Sequence, residues 1–98
     1  MKTEKVRVRD ILNAQTGRLT WPELARHFAR GVVVCVAPGE DLIAVADAMV
    51  GDKKAVVNRF YEEGRLRRAQ DEDARRWENE DASFWAVVVA PWVLVQEI

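Results

Sequence analysis

The last fifteen residues of the chain, 84–98, form an almost uninterrupted apolar run in a sequence of which 32% is charged. A strand with one face in water alternates apolar and polar residues, and this run does not. As a strand, it needs cover on both faces, from helices of the same chain or from a second subunit. We therefore expect a sheet that is sheltered by helices, by self-association, or by both.

We expect this run to form one strand over residues 84–96, with Pro91 near its middle. Proline has no N–H for the ladder, so the strand should bulge there or lie at a sheet edge. The apolar stretch is shorter than the roughly twenty residues that a membrane-spanning helix needs, and its valines favour a strand. We expect no membrane association.

Helix signals precede this segment. The clearest is Thr20-Trp-Pro-Glu23, in which a threonine N-cap, an early proline and a glutamate three residues on form a capping box. Asp41, Asp52 and Asp71 are further candidate N-caps. The expected helices span residues 4–14, 20–30, 42–50, 52–64 and 71–79, and the expected shorter strands span 32–37 and 65–69.

These elements follow the order α-α-β-α-α-β-α-β. The order predicts an α/β (α+β) fold, with a small mixed three-stranded sheet covered by about five helices. The strand at 65–69 should be an edge strand, because its alternate arginines would point to water. With 98 residues and no linker-like stretch, residues 1–98 are expected to form a single domain.

The charge balance is uneven along the chain. The net charge is −1, but residues 1–30 carry +4 and the remainder −5, which is far from the balance of a dedicated nucleic-acid binder. The single cysteine, Cys35, rules out an intramolecular disulfide and favours a reducing compartment. No apolar segment follows the basic residues near the start, so no signal peptide is expected. We expect a cytoplasmic protein.

No residue pattern predicts a catalytic residue, a cofactor or a metal site. Cys35 lies within a valine run, where a buried thiol is inert, and His27 lies on the preceding helix. One cysteine and one histidine cannot form a structural zinc site. The carboxylates at 40–41 and 71–73 are better explained as helix N-terminal residues, and the scattered glycines form no phosphate loop.

Tryptophan is the remaining signal, because it is favoured both in interfaces and in cores. Trp85 and Trp92 are an odd number of residues apart, so a regular strand would place them on opposite faces and a bulge at Pro91 could place them on one. The candidate interface or pocket residues are Trp21, Trp77, Trp85, Trp92 and Gln96.

The capping box at residues 20–24, the helix that begins at Asp71 and above all Trp85-Ala-Val-Val-Val-Ala-Pro-Trp-Val-Leu-Val95 resemble a bacterial protein family. That family is known as domain of unknown function 2288 (DUF2288), and the resemblance covers nearly the whole chain. It implies a bacterial, cytoplasmic and compact protein. It brings no activity, catalytic residue, cofactor or partner with it.

Three functions stay open. The preferred one is a non-catalytic bacterial binding protein that self-associates as a homodimer, because its apolar surface exceeds what four or five short helices can cover. The second is a small-molecule binder or enzyme, with a pocket between the sheet and the Trp21 or Trp77 helix that uses His27, Asp41 or Gln96. The third is a weak nucleic-acid adaptor that uses the arginines of residues 65–76.

Two further expectations concern charge. The carboxylates among residues 71–81 argue against nucleic acid, because they cancel the attraction of the nearby arginines, and Glu72 is expected to pair with Arg76. Lysine at Val88 or Val95 is expected to disrupt the protein, because an unpaired buried charge is strongly destabilising.

Overall fold

The computed structural model describes residues 2–98, with side chains from residue 8 onward. Its helices are α1 Lys2–Gln15, α2 Trp21–Ala29, α3 Leu42–Val50, α4 Lys54–Glu62 and α5 Asp71–Glu80. Its strands are β1 Gly17–Thr20, β2 Val33–Val36, β3 Leu66–Arg68, β4 Ser83–Val89 and β5 Trp92–Glu97. The five expected helices are all present, and each boundary lies within two residues of its expected position.

The strands form one mixed sheet in the order β1-β4-β5-β2-β3. β2 and β5 are parallel, and every other neighbouring pair is antiparallel. β3 lies at the edge, as expected. The mixed sheet is confirmed, but it has five strands, so the prediction of three is wrong.

One added strand comes from the apolar segment, which is a hairpin. β4 and β5 pair from Phe84 opposite Glu97 to Val89 opposite Trp92, with Ala90 and Pro91 in the turn between them. The expectation of one bulged strand is therefore wrong. Proline needs no ladder partner in a turn, and the missing N–H leaves the pairing of both strands intact.

The other added strand is β1, which lies between the first two helices. It pairs with residues 83–86 of β4, and only Leu19 of its four residues is partly buried. A four-residue strand with one apolar side chain has no alternation to recognise. Pairing with β4, rather than intrinsic preference, makes this segment a strand.

Helices cover both faces of the sheet. We call the face under α1, α3 and α4 the α3 face, and the face under α2 and α5 the α5 face. The core of the α3 face is Leu12, Val34, Val36, Leu42, Val45, Ala46, Leu66, Val87 and Leu94. The core of the α5 face is Leu24, Val33, Cys35, Trp77, Phe84, Ala86, Val93 and Val95. Both faces of the central β5 are therefore dry, and the shelter comes from the same chain.

Two expected helix caps form. The Thr20 N–H donates to Glu23 Oε1 at 2.9 Å, which gives α2 its capping box. Asp41 Oδ1 accepts hydrogen bonds of 3.1 Å from two amides in the first turn of α3. α3 also buries more residues than the other described helices, as its apolar sequence indicates.

The other two caps differ from the sequence prediction. α4 begins after Lys53 without a side-chain cap, because Asp52 adopts a positive φ of 54° in the preceding turn. The N-cap of α5 is Gln70 rather than Asp71, and the Asp73 carboxylate accepts the Gln70 N–H at 2.8 Å. Asp73, the third residue of α5, therefore completes the cap of this helix.

β4 leaves two apolar residues exposed on opposite faces. Trp85 is 43% exposed on the α3 face, and Val88 is 58% exposed on the α5 face. A lysine at Val88 would reach water, so the expectation that this position is buried is wrong. It holds for Val95, which is 1% exposed. None of the described helices is both long and apolar enough to cross a membrane.

Candidate functional site

A cavity of about 250 Å³ opens at the carboxyl ends of the parallel strands β2 and β5, on the α5 face. Its lining residues come from four elements and two loops: Cys35, Val36, Ala37, Pro38, Gly64, Arg67, Trp77, Val95 and Glu97. Ligand sites in open α/β sheets commonly lie outside the carboxyl ends of strands. The cavity is therefore the first place to look for bound molecules.

Cys35 forms the middle of the cavity floor. The sheet register aligns Arg67, Cys35 and Val95 side by side across β3, β2 and β5. The thiol is 8% exposed, and burial raises its pKa to about 11 against a smaller opposing effect of the Arg67 charge. Because the thiolate is the nucleophilic form, this thiol is unreactive at neutral pH, as its valine-rich surroundings predict.

Two ion pairs connect the cavity to α5. Arg67 donates from both terminal nitrogens to the Asp73 carboxylate at 2.7 and 2.8 Å, and Arg76 donates likewise to Glu97 at 2.9 and 2.7 Å. The arginines hold the pKa of Asp73 and of Glu97 below the ordinary range. Among the described contacts Arg76 does not meet Glu72, so the expected helical pair is replaced by one that joins α5 to β5.

Trp77 forms the roof. Its ring is completely buried and packs against Phe84 and Trp21, with centroid distances of 4.9 and 5.7 Å. The indole Nε1 lies close enough to Glu97 to help lower the pKa of that carboxyl, yet it completes no hydrogen bond with the described residues. A buried donor without an acceptor is destabilising by about 1–3 kcal/mol. The roof thus offers an unused hydrogen-bond donor.

The tryptophan candidates separate into two places. Trp21 and Trp77 pack together on the α5 face, whereas Trp85 and Trp92 both lie on the α3 face. The hairpin turn, rather than a bulge, places the latter two on one face. Only Trp77 of the four lines the cavity.

Gln96 has a structural position. Its side-chain amide donates to the carbonyl oxygens of Ala37 and Glu40 at 2.9 and 2.7 Å, on the opposite face from the cavity. These bonds fix the loop that follows β2. Asp41 caps α3, and His27 lines a separate groove, so neither polar candidate of the pocket hypothesis reaches the cavity.

Two cavity residues, Arg67 and Glu97, were not among the pocket candidates, although Arg67 was a candidate for nucleic-acid binding. Arg67 lies on an edge strand, where an alternating arginine is expected to point to water, and Glu97 follows the apolar run. One signal that could have found Arg67 is its odd separation from Arg68, which places the two side chains on opposite faces of β3.

Four of the five arginines among residues 65–76 are engaged locally. Arg65 pairs with Glu63 at 3.1 Å, and the Arg68 guanidinium lies 4.8 Å from the centroid of Trp92. The two ion pairs on α5 occupy two more of these arginines. Neighbouring carboxylates therefore neutralise much of the charge that a nucleic-acid adaptor would need.

A second feature is the open outer edge of β4. β1 pairs with residues 83–86, so residues 87–89 have no outer strand partner in the described part of the chain. Ala82 O accepts from the Trp21 amide on the β1 side and Ser83 O accepts from the Ile98 amide on the β5 side. Because these directions alternate along a strand, the N–H and C=O of Val88 point outward.

Apolar surface surrounds this edge. Val88 lines two shallow grooves, of about 480 Å³ toward α1 and α3 and about 230 Å³ toward Leu19 and His27. Ile11 and Val50, both exposed, line the larger groove. The edge therefore combines unpaired backbone with exposed aliphatic side chains.

The fold and cavity define a small α+β protein, with a mixed five-stranded sheet between two helical layers and a cavity at the ends of its parallel strands. The family model described as "Protein of unknown function (DUF2288)" matches residues 7–97, so the chain belongs to the DUF2288 family, as the resemblance indicated. No curated protein sequence matches the chain.

A solved structure supports the same fold. The NMR solution structure of PA1075 from Pseudomonas aeruginosa is similar to this chain at 36% sequence identity. The match covers 93% of this chain and 84% of that chain, with a TM-score of 0.80.

Proposed function

We propose that the protein is a non-catalytic bacterial binding protein of the cytoplasm, which self-associates as a homodimer through the open edge of β4. The observation that carries this proposal is the unprotected backbone at residues 87–89, with Val88 58% exposed. The similarity of the chain to a solved structure from Pseudomonas aeruginosa supports the bacterial setting.

The two edges of the sheet differ in their protection. β3 is three residues long and carries Arg67 and Arg68, and charged residues on a short edge strand oppose pairing with another chain. The open part of β4 carries three valines and no charge. An uncharged, exposed edge of this kind favours the addition of another strand.

A second copy of the chain fits this edge. In an antiparallel pairing centred on Val88, the Val88 N–H of each copy donates to the Val88 carbonyl oxygen of the other, as a two-fold interface requires. Ile11 and Val50 flank the edge and would lose exposed apolar surface in the dimer. No like charges meet at the centre, because residues 87–89 carry none.

The non-catalytic part of the proposal rests on the separation of the reactive groups. Cys35 lines the cavity at the carboxyl end of β5, and His27 lines a groove beside Val88. The high pKa of the thiol keeps it protonated at neutral pH. A nucleophile needs an adjacent base or a lowered pKa, and Cys35 has a raised one.

Sedimentation equilibrium at micromolar concentrations tests the proposal. We expect a dimer for the wild type and a monomer for Val88→Lys, because two lysines would meet at the two-fold axis. Val56→Lys is the matched control, since it adds the same charge at an exposed valine of α4 and should leave the dimer intact. A wild type that is monomeric throughout, or a Val88→Lys variant that dimerises as the wild type does, contradicts the proposal.

A further inference from the structure

We propose that the cavity at the carboxyl ends of β2 and β5 binds a small zwitterion, with one carboxylate and one ammonium group, of the size of a simple α-amino acid. This site lies at the opposite end of β5 from the dimer edge. It therefore goes beyond self-association and does not depend on it.

The size of the cavity limits the ligand to a few heavy atoms. A volume of about 250 Å³ falls below the range of roughly 300–1,000 Å³ that is typical for drug-sized ligands. A simple amino acid fits such a volume, whereas a nucleotide does not.

The donors for a carboxylate come from Arg67 and Trp77. A guanidinium has five N–H donors, and Asp73 accepts two of those of Arg67, with no other Arg67 hydrogen bond among the described residues. The Trp77 Nε1–H is completely buried and completes no hydrogen bond there. A ligand carboxylate would supply the missing acceptor and relieve an existing penalty.

The acceptor for an ammonium group is Glu97. Each of its two oxygens accepts one hydrogen bond from Arg76, and a carboxylate has about four acceptor positions. Arg67 Nη2 donates to Asp73 Oδ1 at 2.8 Å, and that oxygen lies 3.8 Å from Arg76 Nη2, which donates to Glu97 Oε2 at 2.7 Å. One short chain of charged groups therefore joins the ends of the Arg67 and Glu97 side chains. The neighbouring carboxylate and ammonium groups of an α-amino acid can therefore face Arg67 and Glu97 at the same time, above Cys35.

The charge balance selects a net-neutral ligand. Each of the two ion pairs is neutral overall. A simple anion beside Arg67 is therefore also repelled by Glu97, and a simple cation beside Glu97 is also repelled by Arg67. Such an ion loses hydration without a net Coulombic gain. A zwitterion instead places its carboxylate beside Arg67 and its ammonium group beside Glu97, so that both of its charges are attracted.

The test is an NMR titration of the ¹⁵N-labelled protein with L-alanine, which follows the four indole N–H signals after their assignment. We expect a saturable shift of the Trp77 signal, with smaller changes at Trp21, Trp85 and Trp92. Acetate and ethylammonium, which each carry one of the two charges, should give no saturable shift. The absence of a saturable Trp77 shift with L-alanine, or an equal response to either single ion, overturns the proposal.

Three variants locate the binding. Cys35→Leu fills the floor of the cavity and should abolish the shift, whereas Cys35→Ala, which keeps the space open, should retain it. Glu97→Gln keeps the shape but removes the negative charge, and we expect it to weaken L-alanine binding at least about tenfold. Binding that survives Cys35→Leu, or is unchanged in folded Glu97→Gln, overturns the assignment.

Discussion

Arg67 of β3 and Asp73 of α5 are joined by two hydrogen bonds, at 2.7 and 2.8 Å, which tie the edge strand to the first turn of the helix above it. The same Asp73 carboxylate accepts the Gln70 N–H at 2.8 Å, and the residue is only 8% exposed. One side chain therefore closes the cap of α5 and anchors that helix to the sheet.

Loss of this carboxylate should destabilise the protein. We predict that Asp73→Ala lowers the free energy of unfolding by about 2–4 kcal/mol, because it removes a cap and leaves Arg67 without its partner. Asp71→Ala is the matched control in the same turn and should lower it by less than about 1 kcal/mol, because Asp71 is exposed. Urea unfolding followed by tryptophan fluorescence measures both. Equal effects of the two substitutions would contradict the anchoring role.

The same ion pairs predict a loss of stability in acid. Asp73 and Glu97 have pKa values below their ordinary ones, because Arg67 and Arg76 donate hydrogen bonds to their charged forms. The two ion pairs therefore stabilise the folded state fully above the unfolded-state pKa values, which are about 4. This stabilisation is lost as the pH falls through the lowered folded-state pKa values.

Urea unfolding between about pH 2 and pH 7 measures this dependence. The Asp73→Asn, Glu97→Gln double variant should be less stable near neutral pH and should lose less stability on acidification. An acid slope identical to that of the wild type would show that other carboxylates are responsible.

The reactivity of Cys35 should follow its raised pKa. We predict that alkylation by iodoacetamide accelerates about tenfold per pH unit up to about pH 11, because only the thiolate reacts. Free cysteine, with a pKa near 8.5, should level off about two units earlier. Intact-mass measurement is simple here, because the chain has one cysteine. A rate that levels off near pH 8.5 would mean that the thiol is not buried.

The two valines that the sequence treats alike should behave differently. We predict that Val95→Lys loses the folded state, because a buried unpaired charge is strongly destabilising, whereas Val88→Lys keeps its secondary structure. Far-UV circular dichroism of the two purified variants distinguishes these outcomes. A folded Val95→Lys protein would contradict the burial of β5 on both faces.

Local sequence signals predict the helix caps of this protein but not its hairpin. The capping residues Thr20 and Asp41 identify their helices, because a cap depends on neighbouring residues alone. The hairpin at Ala90 and Pro91 is hidden, because its turn lacks the usual Gly, Asn or Asp and both of its strands are largely apolar. The helical cover on both faces of the sheet was predictable, because apolar and polar residues do not alternate in the C-terminal segment.

The candidate site was less predictable, because it depends on pairing between distant segments. Trp77 was a sequence candidate and lines the cavity, but Arg67 and Glu97 are thirty residues apart and reach the same cavity only through the order of β3, β2 and β5. The exposure of Val88 is likewise non-local, because it depends on where β1 stops pairing with β4.

Disulfide formation at Val88 tests the homodimer most directly. A two-fold antiparallel pairing places the two copies of this residue opposite each other at a Cα separation of about 5.5 Å, within the range that a disulfide spans. In a Cys35→Ala background, which removes the native thiol, we predict that Val88→Cys gives a covalent dimer on mild oxidation while Val56→Cys remains monomeric. Slow cross-linking at both positions, or equal cross-linking at both, would contradict pairing across the β4 edge.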